Sequence, residues 1–261
     1  MKMIKRFFLL ASIMMVATVS YAYDVEVDGI YYNLITKAKT AEVTNGDSKY
    51  NGSVNIPSSI TVDGVTYDVT IIGQRAFYEC SGLTSITIPN SVMSIGEHAF
   101  YNCSGLTSMT IPNSVTSIGE CAFGNCKSLG NVVISNSLTT IPKNMFMSCE
   151  KLASVTIPAS VSKIDFQAFA YCYALSMVNI PASVVRIGES AFLSCHSLLS
   201  VNIPNSVTFL GPGAFEYCES LKSVSFSNSL KYIYDATFRN CINLESVVIP
   251  NSVVSNSSLK I

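Results

Sequence analysis

Along this chain apolar and polar positions follow one another in a fixed order that starts again every 23 residues. The order is clearest in Leu83-Thr-Ser-Ile-Thr-Ile-Pro-Asn-Ser-Val-Met-Ser-Ile-Gly-Glu-His-Ala-Phe-Tyr-Asn-Cys103. Stacked by this period, the sequence resolves into columns. One reads Leu83, Leu106, Leu129, Leu152, Leu175, Leu198, Leu221, Leu244, and a second runs from Ile86 through Met109 and Val132 to Val247. A third runs from Ile88 through Ile111 and Ile134 to Ile249. The second and third columns are two residues apart, the spacing of a strand with one buried face. A proline usually follows, as at Pro89, Pro112 and Pro158, and ends the strand by removing the next backbone donor. Ser135 and Ser227 stand in its place in two coils. The Val92 and Ile95 columns predict a second short extended segment. Gly96 to Phe100 reads as a tight turn or as one helical turn, with Ala99 small so that coils lie close and Phe100 filling the centre. An unslipped period in this range is the signature of a stacked solenoid, here a β-rich one.

Residues 23–53 do not fit the period. Val25 and Val27, Asp28-Gly29, Ile30 to Tyr32 and then Asn45-Gly46 read as hairpin material. A solenoid end needs cover over its core side chains and strand edges, so 23–53 is expected to form an N-terminal β cap. The repeat occupies 54–254. Its first coil is interrupted by Thr61 to Asp68, where Asp63-Gly64 predicts a hairpin insertion. After Val253 the next core position holds Asn256, and residues 255–261 form a polar tail. The last coil is then shielded by that tail, paired with something, or part of a longer chain.

Composition adds a compartment. The chain is 49% hydrophobic and only 13% charged, with Ser, Thr and Asn taking the surface places that charge usually fills. Lys2, Lys5 and Arg6, the short apolar run Phe7 to Val19, and Ser20-Tyr21-Ala22 read as an export signal, residues 1–22, cleaved after Ala22; the alternative is an uncleaved anchor. Removing its three cations takes the net charge from −1 to −4. A mildly acidic body without a basic run argues against nucleic acid, and no later stretch is long enough to span a membrane. Eight of the nine cysteines, Cys80 to Cys241, recur at one position per coil. Coils about 4.8 Å apart bring neighbouring cysteines within disulfide range, but side chains stacked in parallel would have to rotate toward each other. Buried free thiols are the expected state. Cys121 lies in another column and is the expected reactive thiol.

Candidate chemistry is sparse. The two histidines, His98 and His196, fall in different columns, whereas a catalytic group needs its members within hydrogen-bond reach. One line of cysteines does not make a tetrahedral zinc site. No catalytic residue, metal or cofactor is expected. Binding is the better reading. One outward column changes from Ser94, Ser117 and Thr140 to Lys163, Arg186, Phe209 and Tyr232, flanked by Lys231 and Tyr234. Arginine beside aromatic rings is interface chemistry, so these four residues are the candidate ligand-binding stripe. The alternative is drift on an unconstrained face. Tyr171, Tyr173 and Tyr217 form a second group near the cysteine column.

The run Leu-x-x-Ile-x-Ile-Pro-x-Ser-Val-x-x-Ile-Gly-x-x-Ala-Phe-x-x-Cys resembles the BspA-like leucine-rich repeat family over about residues 54–254. The resemblance implies a leucine-rich repeat stack of short β coils and a secreted or cell-surface protein. It brings no catalytic residues. Better-known members are adhesins for host matrix or plasma proteins, or for other microbes. The chain departs from them in showing no legible C-terminal anchor. The expected function is an exported binding module whose partner is a protein or glycan on a host or microbial surface. The alternative is a structural surface protein that associates with itself through its C-terminal end.

Overall fold

The computed structural model describes residues 23–245 and 247–254, which build a β-solenoid of 23-residue coils. The expected export signal, 1–22, and the polar tail, 255–261, lie outside the described residues.

The chain enters through β1 (Val25–Val27) and β2 (Ile30–Ile35), an antiparallel hairpin closed by Asp28 and Gly29, both at positive φ. β2 then pairs antiparallel with β3 (Thr40–Thr44). Asn45-Gly46 does not turn a hairpin, contrary to the sequence reading. Here the chain leaves the sheet, and a Cβ on Gly46 would lie 2.2 Å from the Tyr31 ring, so this glycine answers a packed ring. β4 (Gly52–Asn55) opens the main sheet. β5 (Ser59–Val62) and β6 (Val65–Ile72) form the inserted hairpin, turned by Asp63-Gly64. β6 pairs in parallel with β3, so the N-terminal strands continue the second sheet of the solenoid.

Each later coil repeats two short parallel strands. In the main sheet β4 pairs with β7 (Leu83–Thr87), and the strands Ser108–Thr110, Asn131–Val133, Ser154–Thr156, Met177–Asn179, Ser200–Asn202 and Ser223–Ser225 follow. The second sheet is narrower, with two-residue strands from Ser94–Ile95 to Phe209–Leu210. In the main strands the central residue, such as Met109 or Val155, is buried between two exposed neighbours. The proline then starts a turn, as in Val92 N–H to Pro89 C=O at 3.1 Å. In four coils with proline the serine two places later donates its hydroxyl to the preceding coil, as Ser183 does to the Val161 carbonyl at 2.7 Å, whereas the buried hydroxyls of Ser114 and Ser252 have no such partner. Where serine replaces proline, that serine takes over the bond. Ser135 reaches the Val115 carbonyl and Ser227 the Val207 carbonyl, each at 2.7 Å and each fully buried.

The third wall, Gly96 to Cys103 and its equivalents, contains no helix. Alternate residues bond to the next coil: the N–H groups of His98, Phe100 and Asn102 donate to the carbonyls of Glu120, Ala122 and Gly124 at 2.7–2.9 Å. The residues between them close tight turns, as in Tyr101 N–H to His98 C=O at 3.1 Å. This geometry needs positive φ twice per coil, at the His98 and Asn102 columns, and among the described residues fifteen non-glycine positions of this wall adopt it. Such conformations are uncommon outside glycine. They persist because each rung satisfies backbone groups that would otherwise be buried unpaired.

Two columns fill the centre. The rings from Phe77 to Phe238 stack along the axis with centroids 4.9–5.7 Å apart. Tyr50 continues this line toward the N terminus, 4.5 Å from Phe77, with its buried hydroxyl donating to the Thr44 carbonyl at 2.7 Å. Beside the rings all nine cysteines are free, and the eight of the column are buried. From Cys103 onward each of these thiols donates to the carbonyl of the phenylalanine one coil back, as Cys126 does to Phe100 at 3.1 Å and Cys172 to Phe146 at 3.2 Å. Cysteine therefore fits this column for a stated reason: it is small and apolar, and its S–H can still use a buried carbonyl.

Coil spacing is tightest after the second strand. A Cβ on Gly119 would sit 2.3 Å from the Glu97 nitrogen, and one on Gly96 2.4 Å from the Gln74 nitrogen. Pro142, Asp165 and Tyr234 hold the same column elsewhere, so the demand is local. Gly119→Ala is expected to cost about 1–3 kcal/mol, read as a lowered Tm in thermal unfolding. An unchanged Tm would mean that the two coils part freely there.

Candidate functional site

The second sheet carries the candidate stripe. Its parallel register pairs Thr140 with Lys163, Lys163 with Arg186, and Arg186 with Phe209. In-register parallel strands put like columns side by side, so these side chains neighbour one another on one face. Tyr232 follows in the same column one coil on. Side-chain contacts that spacing alone does not reveal tie Arg186, Phe209 and Tyr232 together, while Lys163 pairs elsewhere. The Lys163 ammonium lies 2.7 Å from Asp165. The Arg186 guanidinium sits over the Phe209 ring at 3.6 Å from its centroid, a cation–π contact. Tyr234 then joins Phe209, at 5.6 Å, to Tyr232, at 6.2 Å. Tyr234 thus belongs to the cluster, bridging two residues of the column from the next one. The apolar part stands open to solvent: Tyr232 is 50% exposed and Val185, beside Arg186, 45%.

N-terminal to the stripe lies a shallow groove of about 370 Å³, with Thr116, Ser117, Thr139 and Thr140 on its walls. Its charges alternate. Lys143 pairs with Glu120 at 3.0 Å, and Asp165 pairs with Lys163. Burial alone would raise the Asp165 carboxyl. The Lys163 ammonium, the Phe166 N–H and the nearby Lys143 outweigh it and hold that carboxyl below its ordinary range. The groove and stripe form one continuous surface, hydroxylic at one end and aromatic at the other.

The remaining chemistry-bearing groups stay apart. His98 Nδ1 is 3.0 Å from Glu97 Oε1, and the imidazole meets Tyr101 edge-on at 5.4 Å. His196 stacks on Tyr173 at 4.9 Å, and Tyr173 meets Tyr171 edge-on at 6.4 Å. Among the described residues, no group of three or more His, Cys, Asp and Glu side chains is arranged to hold a metal ion. Cys121 is the least buried cysteine, as its separate column implies, but it is not an activated thiol. Partial burial and the nearby Glu120 and Glu97 carboxylates push its ionisation up, against the opposing effect of Asn144. Thiolate reactivity needs the opposite shift.

Taken together, the 23-residue coil, the Ile-Pro strand end, the Ile-Gly close approach and the Ala-Phe-x-x-Cys turn wall describe one repeat type. The model of the family described as BspA type leucine rich repeat region, in six copies, matches residues 51–176 and 163–259. The chain belongs to the BspA-type leucine-rich repeat family. Among solved structures, this BspA-type chain is similar to a leucine-rich repeat protein of T. pallidum, at 29% identity and a TM-score of 0.59, over 82% of this chain and 87% of that one. It is also similar to a leucine-rich cell surface protein of Faecalibacterium prausnitzii A2-165, at 26% identity over 93% and 84% of the two chains, with a TM-score of 0.43. A leucine-rich repeat protein of Bacteroides ovatus matches at 28% identity over 88% and 84%, with a TM-score of 0.43. A search of curated proteins finds no significant match. BspA-type coils form a repeat scaffold of the kind that presents extended interaction surfaces. Among the described residues, no helix is long and apolar enough to cross a membrane.

Proposed function

We propose that this protein is an exported recognition module that binds a protein or glycan on a host or microbial surface through the Lys163–Tyr232 stripe. The observation that carries the reading is the contiguous Arg186–Phe209–Tyr234–Tyr232 cluster, charged at one end and open to solvent at the other. Arginine and tyrosine are the residues that dominate interfaces, because they combine large contact area with directed hydrogen bonds. The repeat itself gives these positions no structural duty, since Ser94, Ser117 and Thr140 hold the same column in earlier coils. Export is supported by Lys2, Lys5 and Arg6 ahead of the apolar run Phe7 to Val19.

The test replaces Lys163, Arg186, Phe209 and Tyr232 together by Ser and probes an array of matrix proteins and glycans. Binding of the captured partner is expected to weaken at least tenfold, with Tm within a few degrees of the parent. Unchanged affinity would sink the stripe as the contact surface. The alternative is association between copies, favoured by the exposed apolar side chains of Ile242, Val248 and Val254. Light scattering separates the two, because only self-association gives a mass that rises with concentration.

A further inference from the structure

The turn wall breaks its own pattern near the N-terminal strands. One column of this wall reads Tyr78, Tyr101, Gly124, Met147, Ala170, Leu193, so its aromatic pair occurs only at the start. The two rings stack at 5.5 Å and 11°. Tyr101 is seated by Gly124, where a Cβ would lie 3.0 Å from the ring. His98 closes the group edge-on to both tyrosines, at 6.4 Å and 5.4 Å. Two cations lie against Tyr78: the Lys49 ammonium at 5.6 Å and the Arg75 guanidinium at 5.5 Å from the ring centroid. Lys49 is fixed there by donating to the Tyr78 carbonyl at 2.6 Å, and its ammonium keeps two further donors. Tyr78, Lys49 and Arg75, with Asn45 and Gln74, line a cleft of about 380 Å³.

We propose that this cleft binds the carboxylate of a uronic-acid-containing glycan, at a site separate from the Lys163–Tyr232 stripe. The guanidinium fork of Arg75 takes the carboxylate and the Lys49 ammonium adds charge, both anchored on one ring. The choice of a sugar over an acidic peptide rests on the two amides. Asn45 and Gln74 each present a donor and an acceptor, which matches vicinal hydroxyls that both donate and accept. The carboxylate side chains of an acidic peptide offer only acceptors, and its backbone N–H and C=O groups do not combine donor and acceptor on one atom as a hydroxyl does. The Tyr78 ring, which lines the cleft, supplies an apolar surface against which the C–H edge of a sugar ring can pack. Arg75 has no structural duty in the repeat, since its column continues as His98, Cys121 and Asn144, whereas Lys49 also caps the Tyr78 carbonyl, the equivalent of carbonyls that in later coils accept an N–H from the coil before.

The experiment titrates the purified protein with polygalacturonate oligosaccharides, neutral dextran oligosaccharides and poly-glutamate by calorimetry, at low and high salt. Uronate binding that weakens with salt is expected, with no dextran binding. Lys49→Ala combined with Arg75→Ala is expected to weaken uronate binding roughly ten- to a hundredfold. Asn45→Ala and Gln74→Ala should weaken it while leaving the charge intact. The quadruple Ser variant of the stripe should bind uronate normally, which keeps this site distinct from the proposed surface. Tighter binding of poly-glutamate than of uronate would overturn the assignment, as would equal binding of dextran or no uronate binding at all. Both cations are exposed, so the double variant should keep the parent's circular dichroism spectrum, with Tm lowered by no more than a few degrees for the lost Lys49 bond.

Discussion

Replacing Phe146 with Ala is expected to cost about 3–5 kcal/mol and, at roughly 2–4 °C per kcal/mol for a chain of this size, to lower Tm by roughly 6–20 °C. Phe146 is fully buried, with Phe123 at 5.7 Å on one side and Phe169 at 5.5 Å on the other. Its truncation removes the ring-to-ring contacts to both coils, and leaves a hole that strands and turns on three sides hold open. The loss also falls on the bond between coils. In a solenoid, stability is close to a sum of coil terms and nearest-neighbour interfaces, and Phe146 contributes to two interfaces at once. The expected signature is therefore a broadened or split unfolding transition, with hydrogen exchange accelerated first around Lys143 to Cys149. Phe146→Leu keeps most of the volume and gives up mainly the aromatic pairing, about 0.5–1.5 kcal/mol per pair. Equal losses for the Ala and Leu variants would show that ring stacking, rather than filled space, holds the coils together.

The axis of the molecule was legible because its columns are chemically uniform. Leucine, isoleucine, phenylalanine and cysteine return at fixed steps, and each step has one structural meaning. The turns at Asp28-Gly29 and Asp63-Gly64 were legible for the same reason, since both demand positive φ at adjacent positions. The backbone of the third wall was not. Its left-handed positions hold Arg75, His98, Cys121, Gln167 and Ser190, a mixture without propensity for that conformation. The available signal was the recurrence of Asn102, Asn125 and Asn240 in one column and of Asn144 and Gly213 in the other. Gly46 misled for a related reason: glycine was read as backbone freedom, whereas the Tyr31 ring requires it for space. At the stripe, column arithmetic brought Lys163, Arg186 and Phe209 together, but not the Asp165 pairing or the bridging role of Tyr234. Those contacts cross between columns, and a repeat alignment sees only along them. The Lys49–Tyr78 cleft escaped for the same reason, because Lys49 lies outside the period altogether.

Raising the pH is expected to unfold the protein cooperatively, beginning near pH 9, under reducing conditions. The cause is the cysteine column. Burial pushes the Cys172 thiol up to about 12 and those of Cys80 and Cys241 up to about 11. It also pushes up Cys149, Cys195 and Cys218, while for Cys103 the neighbouring Cys126 thiol leads and burial adds. In the unfolded chain a thiol ionises near its ordinary value of about 8.5. Below that pH both states hold the proton and the packing contribution is complete. Above it the unfolded chain releases protons that the folded chain retains, so stability falls as pH rises toward the folded values. Each thiol contributes about 1.4 kcal/mol per pH unit in that window, and seven together contribute roughly 10 kcal/mol per unit, comparable with the whole stability of a typical domain. Tyr32 and Tyr50, also pushed up by burial, act in the same direction at higher pH. Circular dichroism and the ultraviolet absorbance of thiolate, recorded together through an alkaline titration, check this. They should change in one step, because ionisation requires the column to open. Thiolates appearing gradually in a chain that keeps its β signal, or a protein still folded above about pH 12, would refute the column as the source of the transition.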